Sequence, residues 1–166
     1  MATYENLADA FAGESQANRR YLAFAKKAEA EGHPGIAKIF RAAADGETVH
    51  ALAHLRVMGG VKSTAENLAA AMEGESQEFK EMYPAYISAA QAEGNKAAEG
   101  SFKNAIAVEQ VHYSLYSEAA KRLGSGEDMK IGKIFVCQVC GNAFLEETPD
   151  KCPVCGAVRS KFNEIA

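Results

Sequence analysis

Glu47-Thr48-Val49-His50 and Glu109-Gln110-Val111-His112 are the stretches that decide how this chain is read. In each, an acid and an imidazole stand three residues apart, about one helical turn, and so share a face. Both pairs sit within apolar stripes: Ile36, Phe40, Ala43, Glu47, His50, His54 and Val57 in the first, and Phe102, Ile106, Glu109, His112 and Tyr116 in the second. Two further stripes are interrupted by acids at matching depth, Leu7, Phe11, Glu14, Asn18, Tyr21, Ala25 and Leu68, Ala71, Glu75, Glu78, Met82. Glu14, Glu47, Glu75, Glu78 and Glu109 therefore point to the interior of one helical bundle. Burying a single unpaired carboxylate costs several kcal/mol even after relaxation, so a group of them requires cations. An acid from each of two helices, with a Glu-x-x-His pair from each of two others, is the ligand set of a di-iron or di-manganese carboxylate bundle. A lone Glu-x-x-His pair is read more simply as a solvated helix face. Two pairs with matching acids on the other helices argue against that.

Working outward, the apolar period predicts helices over 4–31, 35–58, 64–93 and 96–123. Thr3 is expected to cap the first, and Gly32-His33-Pro34-Gly35 breaks the chain before the second. Gly59-Gly60 closes the second, Ser63-Thr64-Ala65-Glu66 has the form of a capping box, and Gly94-Asn95 parts the third from the fourth. Pro84 is expected to kink the third helix just beyond the ligands. The fold class expected is an all-α four-helix ferritin-like bundle with a small β-rich metal module. Composition marks the boundary: 29 of the 32 Ala precede residue 121 and all four Cys follow 136. The division expected is a bundle over 1–124, a linker over 125–132 and a module over 133–166. A net charge of −4 without a basic tract predicts neither a nucleic-acid nor an anionic-lipid partner. MATYENLADAF lacks the form of a signal peptide, and no apolar run reaches membrane-spanning length, so a cytoplasmic protein is expected.

The module is too short to fold without a staple. Cys137-Gln-Val-Cys140-Gly and Cys152-Pro-Val-Cys155-Gly, eleven residues apart, supply one. Two such knuckles form a tetrahedral four-thiolate site, and in a cytosolic protein metal is favoured over disulfides. Spacing alone leaves zinc and iron both open.

These residues resemble the rubrerythrin family over nearly the whole chain. The resemblance rests on Glu14 followed by Ala17-Asn18-Arg19-Arg20-Tyr21, on Glu47-Thr-Val-His50, on Glu66-Asn67-Leu68 running to Gly74-Glu75-Ser-Gln-Glu78 and Met82-Tyr83-Pro84, on Glu109-Gln-Val-His112, and on the paired cysteine knuckles. It implies two non-haem irons bridged by Glu47 and Glu109, the first completed by Glu14 and either Glu78 or His50, the second by Glu75 and His112. Glu78 is the discriminating residue, since its family counterpart exchanges with the His matching His50 as one iron changes oxidation state. Cys137, Cys140, Cys152 and Cys155 are implied as the ligands of one rubredoxin-type iron. Tyr21 and Tyr83 match tyrosines beside the di-iron site. The implied activity is a peroxidase acting in oxidative stress: hydrogen peroxide is reduced to water with electrons passed through the rubredoxin-type centre from an external donor, a rubredoxin or an NAD(P)H-dependent reductase. An iron-storage bundle and a zinc-bearing scaffold are the alternatives.

In ferritin-like bundles the second and third helices run parallel, which sets a length requirement. Bringing Glu75 level with Glu47 needs a connector of roughly 33 Å, counted at about 1.5 Å per helical residue. Residues 59–63 span only about 20–22 Å when extended. An up-and-down bundle is one solution. The favoured expectation is a homodimer that exchanges helix pairs, Glu14, Glu47 and His50 of one chain joining Glu75, Glu78, Glu109 and His112 of the other.

Overall fold

The computed structural model describes residues 2–165. Four long helical rods and a three-stranded sheet follow in order, as expected for a ferritin-like bundle chain with a β-rich metal module. The rods are α1 (Ala2–Ala30), α2 (Pro34–Val57), α3 (Thr64–Gln77) continued through a π-helical turn (Glu78–Met82) into α4 (Tyr83–Ala92), and α5 (Lys96–Gly124). Contacts group them into two compact units, parted between Lys62 and Ser63.

In the first unit α1 and α2 form an antiparallel hairpin: Asn18 reaches Ala44 and Thr48, while Glu29 near the end of α1 reaches Arg41 near the start of α2. The seam is lined with buried alanines, among them Ala25, Ala28, Ala37, Ala44 and Ala51. Small side chains let the two backbones approach closely, and Phe40 packs against the alanine cluster. Tyr21, Phe24 and Phe40 gather on one flank with ring centroids 5.6–6.4 Å apart. A two-helix unit covers only one flank of each helix. Ile36 and Val57, expected on a buried stripe, are accordingly 49% and 71% exposed.

In the second unit α3, the π turn and α4 run antiparallel to α5, with Phe79 on Tyr113 and both Tyr83 and Tyr86 on Phe102. Ser63 opens α3 in the expected capping box with Glu66. Asn95, read from the sequence only as a separator, caps α5 by accepting from the Ala98 N–H. Two expectations are corrected. Helix α1 already includes Ala2, so Thr3 lies inside it and does not cap it. The kink expected at Pro84 is a π turn ending two residues before it: Pro84 has no N–H for the Lys80 carbonyl, and Tyr83 N–H donates to Glu78 O, five residues back.

The strands form an antiparallel sheet in the order β2 (Ala143–Leu145), β1 (Ile134–Cys137), β3 (Phe162–Ile165). Val136 faces Ala143 on one side and Asn163 on the other, and the rings of Phe144 and Phe162 lie 5.0 Å apart. So thin a sheet encloses almost no apolar volume. The buried centre of the module is Cys137, Cys152 and Asn142.

Where α4 meets α5, buried Glu99 accepts from Gln91 Nε2 at 2.8 Å, Lys96 Nζ at 2.9 Å and Lys103 Nζ at 2.8 Å. Bonds from Lys103, Gln91 and Lys96 hold its carboxyl down at about 2. A depressed folded-state value stabilises above the ordinary value and is lost as the group protonates. Glu99→Gln is therefore expected to lower the Tm at neutral pH, with the difference from the parent shrinking as pH falls from 4.5 toward about 2, as thermal unfolding across that range will measure.

Candidate metal centres

Each helical unit brings one group of ligand atoms together. In the first unit, Glu14 of α1 meets Glu47 and His50 of α2, with one donor atom from each inside a 4.8 Å cluster. His50 Nδ1 lies 3.0 Å from Glu47 Oε2 and 3.9 Å from Glu14 Oε1. In the second, Glu75 of α3 meets Glu109 and His112 of α5 within the same limit. His112 Nδ1 is 2.8 Å from Glu109 Oε2 and 3.7 Å from Glu75 Oε1. The groups have the same composition, two carboxylates and an imidazole. In each the Glu-x-x-His pair comes from one helix because residues three apart share its face, and the antiparallel neighbour contributes the remaining acid.

Glu78 is not in the second cluster; it opens the π turn one helical turn beyond Glu75. Tyr83, at the end of that turn, stands in the field of Glu78, Glu109 and Glu75. Tyr21 lies in the ring group with Phe24 and Phe40. Asn18, which the sequence places on the ligand-bearing stripe, does lie on the α2-facing side one turn after Glu14, and there its amide bonds Ala44 O and Thr48 Oγ1. A polar side chain in an otherwise Ala-rich stripe was the available signal.

The second cluster shows how strongly the acids want a cation. Burial raises Glu75 above the ordinary carboxylate range, the hydrogen bond and charge of Glu109 push it further, and His112 only partly offsets them. Glu78 is raised by burial and then by the charge of Glu75. Tyr83 is raised by burial and by the three acids, so its hydroxyl keeps its proton and remains a donor at neutral pH. Mutual repulsion with imidazole nitrogen close by is donor chemistry suited to a divalent or trivalent first-row metal, whose charge reverses the sign of every one of these shifts.

The third cluster holds Cys137, Cys140, Cys152 and Cys155 as free thiols. Cys137 Sγ lies 3.7 Å from Cys155 Sγ, and Cys140 Sγ 3.6 Å from Cys152 Sγ. A tetrahedron with metal–sulfur bonds of about 2.3 Å has edges of about 3.8 Å, so the sulfurs already stand at metal-site spacing. Each knuckle closes with a glycine: Gly141 N–H donates to Cys137 O and Gly156 N–H to Cys152 O, at φ of +86° and +75°. Side chains rarely adopt that conformation. Burial pushes Cys140 and Cys155 up. It also raises Cys137, but the N–H groups of Cys140 and Val139 together with the Cys155 and Cys140 thiols leave that thiol below its usual value. The module rests on α5 through this knuckle: a Cβ on Gly141 would stand 3.7 Å from Cγ1 of buried Val108, the residue before Glu109.

Protons on these acids and thiols must leave before a metal binds. Because the folded-state value of Glu75 is raised, the metal-free fold holds its proton above the ordinary 4.5, and ionising it destabilises the fold as pH rises through the raised value. Glu75→Gln should therefore gain stability over the parent in chelated protein as pH rises above 4.5. Adding ferrous iron should reverse the order, the parent gaining more. Calorimetric Tm values with and without iron test both.

The rubrerythrin family profile matches residues 5–120, and the profile of the rubrerythrin rubredoxin-like domain matches residues 135–163. Rubrerythrin-2 of Clostridium acetobutylicum is 34% identical over 96% of this chain and 95% of its own length. Nigerythrin of Nitratidesulfovibrio vulgaris is 35% identical over 97% of this chain and 85% of its own. Among solved structures, mixed-valence nigerythrin superposes with a TM-score of 0.57 at 33% identity, covering 98% of this chain and 86% of that one. Fully reduced, all-ferrous nigerythrin gives 0.58 at 32% over the same shares. With both segments matched and relatives aligned nearly end to end, the chain belongs to the rubrerythrin family, an iron-binding family that joins a di-iron helical bundle to a rubredoxin-like iron module.

Proposed function

We propose that this chain is a non-haem di-iron peroxidase that reduces hydrogen peroxide to water. The observation that carries the reading is the union, in one chain, of two carboxylate–imidazole clusters with a four-thiol module seated on the residue before Glu109. An iron-storage bundle has no use for that module.

In this reading Glu47 and Glu109 would serve as ligands shared by the two irons, Glu14 with Glu78 or His50 would hold the first, and Glu75 with His112 would hold the second. Cys137, Cys140, Cys152 and Cys155 hold the third iron. Bound iron would supply the electron pair that cleaves the O–O bond, H2O2 with two protons and two electrons giving two waters, and the tetrathiolate iron would restore that pair from an external rubredoxin or NAD(P)H-dependent reductase. The protein's part is charge balance, orientation and proton placement. Glu78 opens a π turn, a form that recurs at functional sites. That position suits a carboxylate that exchanges with His50. Tyr83 presents a retained hydroxyl proton among the acids, and Tyr21 is assigned the matching place beside the other cluster. Residues 1–124 act as the di-iron bundle, 125–132 as linker and 133–166 as electron-transfer module.

The working form is a cytoplasmic, domain-swapped homodimer. Each unit of the chain carries one three-ligand cluster, and the short connector keeps helix directions parallel only if a second copy supplies the complementary unit.

Anaerobically reduced protein given stoichiometric pulses of hydrogen peroxide should reoxidise rapidly over several turnovers without forming a mineral core. A single slow turnover with retained iron oxide would point to storage instead. Glu78→Ala should slow reoxidation in stopped flow; an unchanged rate would remove the exchange. Glu14→Ala and Glu109→Ala chains, each inactive alone, should recover one intact site per pair when co-expressed as heterodimers, whereas sites built within single chains would stay dead.

A further inference from the structure

The α1–α2 seam poses a register problem. Glu14 must meet Glu47 and His50 within a few tenths of an ångström, yet the seam between them is lined by alanines that interdigitate weakly. Buried Ala37, Ala44 and Ala51 recur every seven residues, so sliding one helix by two turns, about 10.5 Å, would bring a similar small-residue surface into contact and break the cluster. The Tyr21, Phe24 and Phe40 rings touch at tilted or edge-on angles, geometries that tolerate displacement. The Arg41–Glu29 pair is exposed and weak.

Among the described residues, one buried side chain makes directional bonds across the seam beside the cluster. Asn18, 8% exposed, donates both hydrogens of its amide, to Ala44 O at 2.7 Å and to Thr48 Oγ1 at 2.8 Å. Thr48 Oγ1 in turn donates to Ala44 O at 3.1 Å, closing a triangle. Asn18 stands one turn after Glu14, and Thr48 is the neighbour of Glu47. The amide oxygen, Oδ1, is buried without a protein partner. An unpaired buried acceptor is destabilising, so an apolar pair of the same shape would serve stability as well or better. What the amide adds is direction, and a buried polar contact that selects register at the expense of stability is an attested device.

We propose that Asn18 is a positioning residue, which through Ala44 and Thr48 sets the axial register at which Glu14 meets Glu47 and His50. The inference rests on reading those three as iron ligands. The test is anaerobic titration of the full-length, metal-stripped protein with ferrous iron. The tetrathiolate absorbance serves as internal reference and the Tm as the measure of folding. Asn18→Leu/Thr48→Val, an apolar replacement of the whole contact, should keep the Tm and the tetrathiolate band but bind iron at the carboxylate site about tenfold more weakly. Thr48→Val alone, at an exposed position, should weaken iron binding less, and Thr48→Ser, which keeps the hydroxyl, should restore it. Unchanged affinity in the double variant and in Thr48→Val, beside a Glu14→Gln control that does lose iron, overturns the register role. If Glu14→Gln also binds normally, the ligand reading itself falls.

Discussion

Negative charge on apolar helix faces is the constraint to which the rest of this structure answers. Burial raises Glu75 first, and Glu109 approaches closely enough for hydrogen bonding and repulsion to raise it further. Left alone, such a group must hold protons or open the fold. A multivalent cation converts the same repulsion into attraction, and the imidazoles of His50 and His112 stand ready as nitrogen donors. Metal binding and the stability of the bundle segment are thereby linked through the same charges. The cysteine module repeats the argument with sulfur: a sheet too thin for a core places four thiols at the spacing of a tetrahedral site.

Holding ligands in register is a separate task from supplying them. In the second unit, aromatic contacts from Phe79 to Tyr113 and from Tyr83 to Phe102 flank the cluster, and the Glu99 clamp ties α4 to α5. In the first unit the seam is mostly alanine, and among the described residues the buried directional contact is the amide triangle, beside the exposed Arg41–Glu29 pair. Close helix approach and specific register are opposing demands on small side chains.

Much of this was legible in advance because helical chemistry is local. A Glu-x-x-His pair shares a face whatever surrounds it, Ser63 with Glu66 forms its box within one turn, and Cys-x-x-Cys-Gly dictates its own loop. The π turn at Glu78 was not legible, since it depends on how the backbone accommodates the missing N–H of Pro84 while α4 packs on α5. Nor were the partners of Asn18: periodicity put it on the ligand stripe, but which α2 groups its amide meets depends on the packing of the two helices. Thr3 failed as a cap because the helix simply begins earlier.

The sequence by itself marked the candidates for metal chemistry: five acids and two imidazoles at helical spacing, four thiols in two knuckles, and a family resemblance carried by those same residues. Tertiary structure decided how they are grouped. It gathered the bundle ligands as two three-residue clusters on separate hairpins, set Gly141 against Val108, and turned one amide inward to lock α1 on α2. The physical reason is range. Ligand identity and facing follow from bonds and turns a few residues long, whereas pairing across a seam depends on contacts such as Asn18 with Ala44, 26 residues apart, which no local pattern encodes.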